Sequence, residues 1–217
     1  MKTKGLLRFP ADRRSVGLAA VHFALVAAGF VVAPHGLGAA VLFAAIAFSS
    51  FMQLISGHNA IHSPMFRNKT LNRGWQMILS LTFGYPVSAF VPVHNLSHHM
   101  NLQTPKDVLR TTEVRHRSNL LNLLHHVVMA TVHIHVLNFA YLRVMRVRRP
   151  VWFAQVRNEL LAVVAFIVVL VAVSPSAFAL FVLAPYLIGQ CMIIGFGYVQ
   201  HDGTEEKSVH NHSRNFT

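Results

Sequence analysis

Two stretches without a single Asp, Glu, Lys or Arg dominate this sequence: residues 15–66, a run of 52, and residues 160–201, a run of 42. A helix rises about 1.5 Å per residue and the hydrocarbon core of a bilayer is about 30 Å thick, so one crossing takes roughly 20 apolar residues. Each run therefore has room for two crossings, and each carries a breaker near its middle. Pro34-His35-Gly36 separates 16–33 from 37–55, and Ser174-Pro175-Ser176 separates 160–173 from 177–199. Each pair predicts a tight hairpin of helices, whose backbone groups are satisfied internally as lipid demands. Charged residues make up 12% of the chain, about half of the roughly 25% usual in soluble domains, and mean hydropathy is +0.46. A water-soluble globule is excluded, and so is a disordered basic tail, since disorder goes with low hydrophobicity. The single cysteine, Cys191, leaves no internal disulfide and no Cys-ligated cluster.

The 19 Lys and Arg all fall before the first predicted crossing, between the second and third, or after the fourth. By the positive-inside rule those segments and both termini face the cytoplasm. The net charge of +12 is scattered beside apolar spans, which fits anionic lipid headgroups better than nucleic acid. Residues 74–105 are interrupted by Gly84-Tyr85-Pro86 and Pro92 and read as re-entrant or interfacial. Residues 118–142, with His125, His126, His133, His135 and Asn138, read as an amphipathic helix on the cytoplasmic face, followed by Arg143, Arg146, Arg148 and Arg149. The expected fold is thus all-α: an integral membrane protein with four transmembrane helices in two hairpins, plus cytoplasmic or interfacial helices.

Fifteen histidines are the second constraint. Three polar groups lie where the chain should leave the membrane: His58-Asn59-Ala60-Ile61-His62, His94-Asn95-Leu96-Ser97-His98-His99, and Gln200-His201-Asp202-Gly203. His58 and His62 are i, i+4 and share a helical face, as do His94 and His98; His99 should point about 100° away. Neutral imidazole suits Fe, Zn, Cu and Ni, so the two boxes on one side of the membrane read as a metal site. His22, His35, His116, His125, His126, His133 and His135 read as ordinary polar residues at wet boundaries. A carboxylate-bridged di-iron bundle needs four Glu and two Glu-x-x-His pairs, whereas this chain holds one such pair, Glu113 with His116, and no acidic residue inside a predicted span. His-Glu-x-x-His is absent, so a zinc protease is unsupported. A metal transporter or a non-catalytic scaffold is the other class. Transport should place ionisable groups along a path near mid-bilayer, and only His22 sits inside an apolar stretch.

His58-x3-His62 and His94-x3-His98-His99 resemble the first two histidine boxes of the membrane fatty acid desaturase superfamily, which also includes alkane hydroxylases and carotenoid ketolases and hydroxylases. Phe66-Arg67-Asn68-Lys69 and Leu71-Asn72 after the first box are similar to that family's text, as are Asn101 and Thr104-Pro105-Lys106-Asp107 after the second. Gln200-His201-Asp202-Gly203 and His212-Ser213-Arg214-Asn215-Phe216 resemble the segment preceding its third box. The third box, His-x2-His-His, does not follow, so residues 1–217 are expected to be a single desaturase-like membrane domain that is C-terminally incomplete.

The resemblance implies an O2-dependent oxidoreductase that introduces a double bond into a lipid acyl chain at a site holding two non-haem irons. The implied ligands are His58, His62, His94, His98, His99 and His201. Asn59, Asn95, Asp107, Asp202 and His212 are expected to support them. The substrate would be an acyl-lipid or acyl-CoA, and electrons would come from an external donor of ferredoxin, cytochrome b5 or rubredoxin type. Hydroxylation or ketolation of an alkane, sterol or carotenoid is the alternative within the superfamily.

Overall fold

The computed structural model describes residues 5–113, 115–204 and 213, and helices account for nearly all of its regular structure. Among the described residues the sole β pairing is an isolated bridge between Leu7 and Phe66. The chain divides into two compact units, Met1–Ser88 with Ala154–Gln190, and Ala89–Phe153 with Cys191–Thr217.

In the first unit, α1 (Arg13–Val31) and α2 (Gly36–His62) pack along one another on either side of the predicted break. α3 (Lys69–Phe83) starts where the Asn68 side chain accepts from the N–H groups of Thr70 and Leu71 at 2.7 and 3.2 Å, an N-cap that satisfies otherwise orphaned donors. It stops at Gly84, whose φ of 71° is the left-handed conformation a glycine adopts without strain. α6 (Pro150–Val173) and α7 (Pro175–Phe178) meet at Ser174, whose Oγ accepts from Ala177 N at 3.2 Å. A π-helical turn, Ala179–Leu183, leads into α8 (Ala184–His201). The core is Val26, Ile46, Phe181, Val182 and Tyr186, with Leu25, Phe30, Leu42 and Leu170 closing round it. Gly29 lets the Phe181 ring lie directly on α1.

This interior is polar in two places that sequence patterning did not reveal. His22 is fully buried rather than at a wet boundary: its Nδ1 lies 2.8 Å from Ser49 Oγ and its Nε2 2.8 Å from Tyr186 OH. Ser49 Oγ donates to Ile46 O, so it accepts from Nδ1–H, and Nε2 accepts the tyrosine proton. The second is Glu159. α6 begins ten residues before the predicted span, which places this carboxylate inside the helix and corrects the expectation that no acidic residue lies within a span. Burial is complete, and the carboxyl group accepts from Ser88 N, Ser88 Oγ and Gln155 Nε2 at 2.8, 2.7 and 2.7 Å, the hydrogen bonding that a buried polar group needs.

The second unit contains a π-helical segment, Val91–His98, running directly into α4 (His99–Asn101), then a loop, then α5 (Asn119–Arg148). Among the described residues, five helical stretches are long and apolar enough to cross a membrane: Pro10–Val31, Gly36–His62, Asn119–Arg148, Pro150–Val173 and Pro175–His201. A sixth results if Lys69–Phe83 and Val87–Asn101 count as one broken span. α5 thus meets the same criterion as the four predicted crossings. Its outward stripe of Leu120, Leu124, Val128, Val132 and Val136 repeats every fourth residue, as lipid contact asks of a helix that lies on a membrane or crosses it.

Candidate metal centre

His58 and His62 occupy the last turn and a half of α2, with ring centroids 4.9 Å apart, as i, i+4 spacing demands. α2 runs to His62, seven residues past the predicted end of its span, so both rings ride on a continuous helix. The motif text that follows is structural in this unit. Asn68 caps α3, while Asn72 clips Phe66 on both sides, accepting from its N–H and donating to its C=O at 2.7 Å each. Asn59 is exposed on the same helix.

In the second unit the backbone, not the spacing, decides what meets what. Residues 91–98 are wound as a π-helix, and the His99 N–H bonds to His94 O, an i→i+5 bond. That wider turn brings His99 back over His94. Their Nε2 atoms are 2.9 Å apart and their ring centroids 4.5 Å, against 5.6 Å for His94 and His98. The expectation that His99 points about 100° away rested on α-helical winding and is corrected by this one. His98 turns instead toward His201 at the end of α8, Nε2 to Nε2 3.3 Å, centroids 4.8 Å. Four histidines from three elements therefore form two pairs.

Behind His98 stands Asp107. Its Oδ2 accepts from His98 Nδ1 at 2.9 Å and from Gln103 N at 3.0 Å, and its Oδ1 accepts from Leu109 N at 2.8 Å. Both side chains are almost wholly buried. Burial pushes the Asp107 carboxyl up, but the hydrogen bond and charge of His98 and the two backbone donors outweigh it and hold the group below its ordinary value. An ionised Asp107 accepts a hydrogen bond from the Nδ1 proton of His98 and leaves the His98 Nε2 pointing at His201. This is the carboxylate–imidazole arrangement that orients histidine ligands.

The remaining residues singled out from the sequence are placed as follows. Asn95 is half-buried on the π-helical segment. Asp202 pairs with Arg115 and not with an imidazole. His212 lies outside the described residues. On α5, His125 stacks edge-on with His116, His126 lies against Tyr198, and His133 Nδ1 is 3.2 Å from Val108 O. Arg115 and Tyr198 carried no signal in the sequence. An arginine in a loop is ordinary, and nothing in its spacing points at α8.

Two nitrogens bound to one ion at about 2.1 Å and at right angles lie about 3.0 Å apart. The 2.9 and 3.3 Å separations bracket that value, and the donor set is imidazole with a carboxylate behind it. The residues fit a histidine-ligated transition metal. Apolar helices of membrane-crossing length and a cluster of imidazoles mark a membrane protein with a candidate histidine-ligated metal site. The chain belongs to the fatty acid desaturase family, whose model matches residues 33–217. No curated protein and no solved structure matches it.

Proposed function

We propose that the protein introduces a double bond into the acyl chain of a membrane lipid or acyl-CoA, using O2 and a pair of non-haem irons. What carries this reading is the pairing of His94 with His99 and of His98 with His201, with Asp107 holding the His98 tautomer. With the family as the guide, the irons are held by His58, His62, His94, His98, His99 and His201. When bound, they supply the O2 activation needed to remove hydrogen from an unreactive methylene.

The chain's own residues do the rest. Asp107 keeps Nδ1 of His98 protonated and its Nε2 available. Asn59, Asn95 and Asp202 contribute polar surroundings, and His212 is a further candidate. The basic residues, by the positive-inside rule, place both termini and the centre on the cytoplasmic side, where an external ferredoxin, cytochrome b5 or rubredoxin-type donor delivers electrons. The family model covers residues 33–217, in keeping with a single desaturase-like membrane domain.

The test is expression in a host of known lipid composition, followed by mass spectrometry of its fatty acids. New double bonds that disappear with His98→Ala support the reading. A new hydroxyl or keto group in their place would assign the protein to the hydroxylases or ketolases of the superfamily. Unchanged lipids, with labile exchangeable zinc and no iron on the purified protein, would favour metal transport.

A further inference from the structure

The loop between α4 and α5 reaches the supports of the histidine pairs twice. Asp107 is the first contact. The second is Arg115, which is 43% exposed and closes on the last turn of α8. Its NH2 donates to Asp202 Oδ1, and its NH1 donates to Tyr198 OH at 3.3 Å. Tyr198 and Asp202 are four residues apart and lie on one face of the helix end, so a single guanidinium grips both. The turn is finished by bonds that flank His201. Asp202 N–H returns to Tyr198 O at 2.8 Å, and Thr204 donates to His201 O from both N (3.2 Å) and Oγ1 (2.7 Å).

His201 is the final residue of α8, and helix ends fray unless something ties them. Yet its Nε2 must stay 3.3 Å from that of His98 for the pair to act together. An ion pair this exposed adds little to global stability, because solvent and side-chain entropy offset it. What it changes is where the last turn sits.

We infer that Arg115 is a positioning residue for His201: by gripping Tyr198 and Asp202 it holds the end of α8 so that the His201 imidazole faces His98. The inference rests on the metal-centre reading above. The fork is the reason for arginine, since a lysine ammonium is a point charge that cannot match two acceptors in fixed geometry.

The test titrates Co2+ into the metal-free full chain in detergent and follows the visible bands of the bound ion. Arg115→Gln and Asp202→Asn are each expected to weaken binding about tenfold, the low end of what losing a ligand's support costs. The double variant should be no worse than either single one, because both remove the same contact. The reversed pair, Arg115→Asp with Asp202→Arg, should recover most of the affinity, and Arg115→Lys only part. Thermal midpoints of all these variants should stay near that of the parent. If Arg115→Gln does not fold, the lysine variant and the reversed pair decide. Parent-like Co2+ binding in both single variants, with loss in His98→Ala, would overturn the inference alone. If the parent binds no Co2+, the metal-centre reading fails, and amide exchange at residues 199–204 decides the positioning claim separately. Faster exchange in Arg115→Gln upholds it, and equal exchange overturns it.

Discussion

Replacing Asp107 by Asn and by Ala should separate two things the carboxylate does. It accepts three hydrogen bonds inside the protein, from His98 Nδ1, Gln103 N and Leu109 N. Asparagine keeps one oxygen. The cheaper orientation turns that oxygen to His98 and Gln103 and sets the amide NH2 against Leu109 N–H, so one buried donor is orphaned and the negative charge is lost. The orphan costs about 1–3 kcal/mol. The His98 tautomer survives, so metal affinity should fall only about tenfold. Alanine removes all three acceptors. His98 is then free to rotate or to exchange its proton between nitrogens, and affinity should fall about a hundredfold, the upper end for losing a ligand's support. The assay is metal titration of the purified chain, beside the thermal midpoint of each variant. Acid adds a third reading. The folded carboxyl is held below its ordinary value, so its stabilisation is present above about pH 4 and fades as the pH falls through the folded value. The stability gap between parent and Asp107→Asn should therefore close on acidification below that point. Parent-like affinity in Asp107→Ala, or an Asn variant as weak as the Ala one, would refute the reasoning.

Two further outcomes concern the first unit. His22→Phe deletes both bonds of the buried imidazole and leaves Ser49 and Tyr186 to find other partners; it should lower stability by about 1–3 kcal/mol, and adding Tyr186→Phe should cost less than it does in the parent, as measured in a detergent unfolding cycle. Gly29→Ala sets a methyl 2.6 Å from Phe181 Cγ, too close without movement, and should cost about 1–3 kcal/mol; Phe181→Leu in the same chain should restore part of the loss in thermal midpoint.

The helical frame was legible because lipid imposes simple rules. Uncharged runs of 52 and 42 residues can only be apolar helices, and Pro34-His35-Gly36 and Ser174-Pro175 can only be breaks. The boundaries moved outward, to Pro150 and to His62, because a helix continues past the lipid as long as its backbone bonds do. α5 was harder. Its histidines suggested an interfacial helix, yet its length and apolar content meet the same test as the predicted crossings. The centre was legible as a set of histidines but not as a set of pairs. Spacing arguments assume α-helical winding, and the π-helical turn at 91–98 exchanges the neighbours of His94. The supports were only partly legible. Asp107 sits in a motif, whereas Arg115 and Glu159 act through contacts 87 and 71 residues distant in sequence, which no local pattern encodes.

The carboxylate of Glu159 also bears on how the chain is assembled. A helix entering lipid with an unpartnered acid is held back at the interface, and this acid sits about ten residues into α6. Its acceptor sites are filled by Ser88, 71 residues earlier in sequence, and by Gln155, one turn before it on the same helix. Translation runs from the N-terminus, so Ser88 has already been made when α6 emerges from the ribosome. The late helix therefore meets hydrogen-bond donors that were synthesised before it.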